Sequence, residues 1–277
     1  MKEAEQTLIY QRVFENIQIF IEIDEDLFAK FKSLFHSLFS SFSIHLMYSN
    51  KEIQKIRIYQ CLKSADIENN HCCDYYIICN TAEENWVSSL IDFLEYCYQK
   101  ILKCTVLHGS CVSINDYGVL ILGNRRTGKS TLTHFLINHK NVLFLDDDSV
   151  FIQRGSIIGF GFPIRLRNII GNHLPLIGSF FDGEDQRYIC NVNNNKKTNE
   201  VKNISLVIFP EYSDKNGFET QKVLGVDLIN YAISNLKDSF SLFKSCADIS
   251  SLLTNVRAFK VKYNNCDSVM KFIMDSL

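Results

Sequence analysis

Residues 118–137 read "GVLILGNRRTGKSTLTHFLI": an apolar run, then two glycines with four residues between them, then Gly128, Lys129, Ser130 and Thr131. Gly123, Gly128, Lys129 and Ser130 fit the spacing G-x-x-x-x-G-K-[ST], in which the glycines let the backbone wrap closely and aim its N–H groups at phosphate oxygens. In that reading Gly123, Asn124, Arg125, Arg126, Thr127, Gly128, Lys129, Ser130 and Thr131 hold a nucleotide. Lys129 reaches the β and γ phosphates, and the Ser130 hydroxyl ligates magnesium. "GVLIL" predicts a strand before the loop and "STLTHFLI" an amphipathic helix after it, whose N-terminal end adds positive potential. Arg125 and Arg126 either touch phosphate or point into solvent.

Downstream, "NVLFLDDDSVFI" predicts an apolar strand ending in Asp146, Asp147 and Asp148, which begin 17 residues after Lys129. Three adjacent carboxylates repel one another, and a bound magnesium relieves that repulsion. One carboxylate would hold the metal and a neighbour would accept the proton of an attacking hydroxyl; the plain alternative is a solvated acidic turn. Upstream, "VLHGSCVSI" places His108 and Gly109 at the start of an apolar segment, where a lone histidine serves either structure or catalysis. In "GFGFPIRLRNI", Arg165 and Arg167 project from one face if the segment is extended, either as forks for phosphate or carboxylate or as a surface pair.

Around this centre the chain divides into an N-terminal α+β portion over residues 1–100 and a nucleotide-binding α/β domain over 101–277. In the first, "IQIFIEI", "SIHLMYS", "IQKIRIYQ" and "YYIICN" predict strands, and "WVSSLIDFLEYCYQKIL" predicts a helix. Another helix is expected over residues 26–42, with Leu27, Phe31, Leu34, Phe35, Leu38 and Phe42 on one core-facing stripe. The polar, asparagine-rich segment 182–203 predicts a mobile surface loop. His173, Asp182, Asp185 and Arg187 fall in a region too irregular to assign. Later come a strand "ISLVIFP", helices around "VDLINYAISNL" and "ADISSLLTNV", a strand "AFKVKY" and a closing helix "CDSVMKFIMDSL". With no Pro/Gly/Ser linker between the two portions, they are expected to form one body.

With 277 residues, 46% of them hydrophobic, the chain can bury a large core, and its formal charge of −2 gives no bulk reason to expect nucleic acid or an anionic membrane as partner. A charged N-terminus without a signal-type apolar stretch, and no run long enough to span a bilayer, predict a cytoplasmic protein. The ten cysteines show no paired zinc spacing and are expected to be reduced and mostly buried; Cys72 and Cys73 form the one vicinal pair.

Together, "LHGSCVSI", "GVLILGNRRTGKST" and "LDDDSVFI" resemble the catalytic domain of the HPr kinase/phosphorylase family, and more closely its peptide-kinase relatives found beside lasso-peptide genes. The likeness covers residues 104–277. It implies a P-loop core of that type, with His108 near the transferred phosphate, Asp147 as the base on a substrate serine and Asp148 near magnesium. Three aspartates stand where the family has two, so a shift of register by one would give the base role to Asp146. The bifunctional enzymes carry Glu after the motif serine, where this chain has Thr131, and their arginine-glycine capping loop has no counterpart here. That speaks against phosphorylase activity.

The expectation is an ATP- and magnesium-dependent kinase acting on a serine of a peptide or small protein, with a homo-oligomer left open, with Asp147, His108 and Lys129 as catalytic residues, Ser130 and Asp148 on the metal, and Arg165 and Arg167 on the substrate. A small-molecule kinase with the same core and a nucleotide-dependent switch that hydrolyses slowly are the rival readings.

Overall fold

A computed structural model of the chain describes residues 8–13, 17–23, 25–39, 52–60, 75–79, 86–168, 174–182, 185–215, 217–238 and 242–277. Among them the strands form four sheets, so the fold is mixed α/β. The first sheet holds β1 (Leu8–Val13), β2 (Ile17–Ile23), β3 (Glu52–Gln60) and β4 (Tyr75–Cys79) in that order, antiparallel between the first two and parallel thereafter. In β2, Ile19, Ile21 and Ile23 bury on one face, as period-two alternation requires. Their core is shared by α1 (Glu25–Lys30), α2 (Lys32–Leu38) and α3 (Trp86–Leu102) through Leu27, Phe35, Leu38, Leu90 and Leu94. The single helix expected over 26–42 is broken at Phe31, whose ring lies against Trp86 with centroids 4.5 Å apart. Phe42, the strand expected in "SIHLMYS", Cys72, Cys73 and His173 lie outside the described residues.

This core continues into the C-terminal portion through Phe151, Phe160, Phe162 and Phe180. Tyr98 of α3 stacks on Phe160 with centroids 3.9 Å apart. Arg12 of β1 lies over the same ring and donates to the Gly159 carbonyl at 2.6 Å. The N-terminal sheet thereby fixes the backbone that leads toward Arg165.

The remaining elements are β5 (Thr105–Leu107), β6 (Gly109–Ile114), β7 (Tyr117–Leu122), α4 (Lys129–Ile137), β8 (Val142–Asp146), β9 (Val150–Gln153), β10 (Ser156–Ile158), β11 (Ile164–Leu166), β12 (Leu176–Asp182), β13 (Asp185–Cys190), β14 (Glu200–Val201), β15 (Ile204–Tyr212), β16 (Phe218–Val223), α5 (Gly225–Ile233), β17 (Leu236–Asp238), α6 (Leu242–Leu252), β18 (Arg257–Tyr263) and α7 (Cys266–Ser276). A six-stranded sheet runs β16-β18-β15-β7-β6-β8. Its inner strands β18, β15 and β7 are parallel, so their carboxyl ends open on the same edge. In β7, Val119 and Ile121 face a core capped by α4 and α7, while Leu120 and Leu122 face a second core under α5, α6 and the five-stranded sheet β14-β10-β9-β5-β17. Burial on both faces is why this strand reads as an uninterrupted apolar run.

The segment 182–203, expected to be a mobile loop, is instead tied down. Its first part is β13, the middle strand of the sheet β11-β13-β12, with Ile189 and Cys190 buried. The asparagine-rich part is held by the Lys196 ammonium on the His139 carbonyl at 2.6 Å, by Lys197 on the Gly161 carbonyl at 3.0 Å and by the Thr198 amide on the Phe144 carbonyl at 2.8 Å. Its polar residues satisfy backbone groups of neighbouring segments, a use that composition does not reveal.

The chain passes between the five- and six-stranded sheets twice in this region: at His108, between β5 and β6, and at Asp147–Ser149, between β8 and β9. Both passages open on the same cleft. No described helix is long and apolar enough to cross a membrane.

Candidate active site

The glycine loop joins β7 to α4, the strand–loop–helix order that the sequence predicts. Gly128, the residue before α4, has φ +94°, and a Cβ there would stand 2.7 Å from the Tyr263 hydroxyl. Backbone freedom and close approach thus both demand glycine. The Lys129 ammonium, on a residue only 7% exposed, donates to the loop's own Gly123 and Asn124 carbonyls at 2.8 and 2.9 Å. The loop is closed around its lysine. Burial lowers the Lys129 pKa, against the pull of Asp147 and Asp148. Thr127 donates to the Asn124 carbonyl at 3.0 Å, and the Gly123 amide donates to the Asn235 side chain at 3.1 Å.

The three aspartates face three different environments. Asp146 is fully buried and accepts the Phe160 and Phe162 amides at 2.7 and 2.9 Å, so it organises the segment before β11 rather than the cleft. Asp147, 1% exposed, accepts hydrogen bonds on Oδ1 from Ser110 and, at 3.2 Å, from the Ser130 hydroxyl, while its buried Oδ2 has no hydrogen-bond partner. Burial pushes its pKa up, and the Ser110 bond works against that. Asp148 adopts φ +71°, a left-handed conformation that Asp tolerates better than most residues, and its side chain is 31% exposed. It meets His108 Nδ1 at 3.2 Å, the Lys237 ammonium at 3.1 Å and the Arg165 guanidinium. Burial alone would raise the Asp148 pKa, but Arg165, Lys237 and His108 together hold it far below the usual carboxylate range.

Behind Asp148 stands Glu95 of α3, which meets Arg165 at 3.5 Å and Lys237 at 2.9 Å. Lys237 also donates to Ser149 at 2.6 Å. Burial would depress Lys237, yet Glu95 and Asp148 outweigh it and leave its pKa raised. For His108 burial prevails: its pKa falls to about 4, with Lys129, Lys237 and Arg125 reinforcing the shift and Asp148 opposing it. The imidazole is therefore neutral at pH 7, so its 3.2 Å contact with Asp148 is not an ion pair between full charges there. The His108 amide donates to the Asn235 carbonyl at 2.6 Å, so Asn235 links this histidine to Gly123.

These groups surround a cleft of about 670 Å³ whose lining includes seven Lys and Arg residues against two carboxylates, a balance that attracts a polyanion. His108, Arg125, Arg126, Gly128, Lys129, Ser130, Thr131, Asp148, Arg165 and Arg167 all line it; Asp146 and Asp147 do not. Arg165 and Arg167 share this face, but both forks are engaged: Arg165 by Glu95 and Asp148, Arg167 by Asp185 at 2.9 Å. Arg126 meets Asp185 at 3.8 Å. Among the described residues no group of three or more His, Cys, Asp or Glu side chains forms a ready-made metal cage. Cys97, Cys104, Cys111, Cys190, Cys246 and Cys266 are free thiols, the first four of them buried.

Ser110, Glu95, Asn235 and Lys237 belong to the site and were not singled out from the sequence. Glu95 had a signal: it follows Leu94 on the buried side of α3, where a carboxylate requires a partner. Lys237 and Asn235, just past α5, carried none.

No family model matches the chain, and no curated protein matches it in sequence. A solved structure of the Hpr(Ser) kinase/phosphatase from Coxiella burnetii is similar to this chain at 13% identity over 61% of this chain and 88% of that one, with a TM-score of 0.29. At that score the likeness carries no argument.

Proposed function

We propose that this chain is a nucleotide-dependent phosphotransferase that moves the γ-phosphoryl group of ATP to a serine hydroxyl of a peptide or small protein. One observation carries the reading: a closed glycine loop whose Ser130 hydroxyl lies 3.2 Å from a buried carboxylate opens on a cleft lined by cations and by two carboxylates, Asp92 and Asp148, of which Asp148 is the one that meets His108, Arg165 and Lys237. Phosphoryl transfer asks for little covalent chemistry from a protein and for much positioning and charge neutralisation. Backbone amides of the loop and Lys129 would hold the phosphates, as that spacing allows.

Magnesium fits the residues present. Asp147 has a buried oxygen without a partner beside the Ser130 hydroxyl, and magnesium characteristically takes one or two protein carboxylates plus substrate phosphates rather than a complete protein cage. Asp147 and Ser130 would hold it, and there it would neutralise charge developing on the phosphates. The assignments implied by the family resemblance therefore exchange: Asp147 serves the metal, and Asp148, which lines the cleft, receives the acceptor hydroxyl. Held ionised by its cations, Asp148 is a weak base. Its contribution is to orient the hydroxyl and take its proton as the phosphoryl group moves. His108, 3.2 Å from Asp148, would help keep it aimed. Asp146, which accepts two backbone amides and does not line the cleft, takes neither role in this reading.

Incubating the protein with γ-labelled ATP, magnesium and a library of serine-containing peptides tests this. Label is expected on peptide serine, with little ATP consumed when no acceptor is present. Slow ATP hydrolysis that ignores the acceptor would instead establish the switch reading.

A further inference from the structure

The carboxyl ends of three adjacent parallel strands meet at one edge of the six-stranded sheet: β7 in the glycine loop, β15 in Tyr212 and β18 in Tyr263. In open α/β sheets this edge is where ligands bind. Tyr212 and Tyr263 are register partners across β15 and β18, and their rings meet edge to face, with centroids 5.8 Å apart and planes at 79°. Their circumstances differ sharply. Tyr263 is 1% exposed and its hydroxyl, though buried, has no hydrogen-bond partner. Tyr212 is 54% exposed, an unusual setting for an aromatic ring at the end of a core strand, and both residues line the cleft.

Tyr212 is also fixed relative to the loop. Its amide meets the Thr127 carbonyl at 3.4 Å, and its Cβ would lie 3.5 Å from a Cβ placed on Gly128. The ring is thus an exposed flat surface, braced on its edge by a buried neighbour and anchored beside the loop that would hold phosphates. Resting on the nucleotide reading given above, we propose that Tyr212 is the platform on which the nucleobase stacks, with the Tyr263 hydroxyl supplying a hydrogen bond to the sugar or phosphate next to it. The ligand class is therefore a nucleotide, recognised at both ends: its phosphates by the loop and its aromatic ring by Tyr212. Stacking on one side chain is sequence-tolerant, because every base offers a π-face.

Two ligands separate this proposal from the phosphate reading beneath it: ATP, and inorganic tripolyphosphate, which has the phosphates and no base. Binding of each, with magnesium, is measured by calorimetry on the wild type, Tyr212→Ala and Tyr212→Phe. The wild type is expected to bind ATP more tightly than tripolyphosphate. Tyr212→Ala should weaken ATP about five- to a hundredfold, as loss of one base–aromatic stack does, and leave tripolyphosphate unchanged, while Tyr212→Phe keeps the wild-type preference. Unaltered ATP affinity in Tyr212→Ala, or equal losses for both ligands, overturns the stacking role while leaving the loop assignment standing. A wild type that binds neither ligand overturns both.

Discussion

The two walls of the cleft are built in opposite ways. The glycine loop is one run of nine residues, 123–131, whose internal bonds are local: Lys129 to the carbonyls of Gly123 and Asn124, and Thr127 to Asn124. The facing wall, with Glu95 behind it, takes one charged or titratable group from each of five distant segments, namely Glu95, His108, Asp148, Arg165 and Lys237. In the proposed reading the first wall binds phosphate through backbone that must be folded anyway. The second holds side chains whose charges are tolerable under cover only because they meet one another. A change to a loop side chain should therefore alter ligand affinity and little else, whereas a change in the facing wall should reach catalysis and stability together.

Exchanging one residue on each wall gives the largest effects and tests that contrast directly. Asp148→Asn keeps shape but removes the carboxylate proposed to meet the acceptor, and loss of such a group costs on the order of a hundred- to ten-thousandfold in kcat. Nucleotide affinity should survive, since Asp148 does not touch Ser130. Lys129→Ala should abolish nucleotide binding itself and leave the unfolding midpoint close to wild type. Calorimetry with ATP, single-turnover transfer and urea melts on both variants distinguish the walls. An Asp148→Asn protein that transfers at the wild-type rate would break the division of roles between Asp147 and Asp148.

Glu95 sharpens the comparison because it is remote from the loop and lines none of the cleft. Glu95→Gln leaves an acceptor for Arg165 and Lys237 but removes the charge that offsets them. A hydrogen bond to a charged group contributes about 1.5–3 kcal/mol. If all of that were lost from the transition state, kcat would fall roughly ten- to a hundredfold. The KM for ATP should hold steady, because Glu95 acts through Arg165 and Lys237 and not on phosphate. A fall in ATP affinity without a fall in kcat would place Glu95 on the wrong wall.

His108 gives a smaller, pH-dependent effect whose sign follows from its environment. Its folded pKa, near 4, lies below the ordinary histidine value of 6.5, so between those values the unfolded chain binds a proton that the folded one does not. Stability from this group is fully present above pH 6.5 and is lost as pH falls toward 4. The wild type should thus lose more melting temperature between pH 7 and pH 5 than His108→Asn does, and the rate should show no histidine inflection near pH 6.5. Equal losses in the two proteins would mean that His108 titrates normally and is not held neutral beside Asp148.

The same contrast in construction explains what could be read in the chain. Gly128, Lys129 and Ser130 announce the loop because their chemistry is fixed by spacing along a single turn of backbone, and the strand and helix around them follow from period-two and helical patterns. Asp146, Asp147 and Asp148 were visible as a cluster, but their division of labour was not: it depends on which neighbour each meets where two sheets part, Phe160 and Phe162 for one, Ser110 and Ser130 for the next, Arg165 and Lys237 for the third. Lys237 lies 89 residues from Asp148, and no local pattern joins them. For β13 the difficulty was dilution, since its few apolar residues sit inside a polar, asparagine-rich run.

The smallest expected effect lies at the rim, where the two walls meet. Arg165 and Arg167 are two apart on β11 and just beyond it, yet they are not equivalent: Arg165 is committed to Glu95 and Asp148 with a side chain 11% exposed, while Arg167, with a side chain 28% exposed, meets the partly exposed carboxylate of Asp185. A substrate carboxylate could compete for Arg167 and not for Arg165. Exposed ion pairs are worth about 0.2–1 kcal/mol, so an acceptor peptide with its serine near a free C-terminal carboxylate should gain no more than about fivefold in kcat/KM over its amidated form. Arg167→Lys keeps the charge but loses the planar fork and should erase part of that preference, whereas Arg165→Lys should act like the cluster substitutions and lower kcat for both peptides alike. Rates for free-acid and amidated peptides on the two variants decide the matter. Equal rates for both peptides on the wild type would remove Arg167 from acceptor recognition, and Arg165→Lys altering only the peptide preference would move Arg165 from the facing wall to the rim.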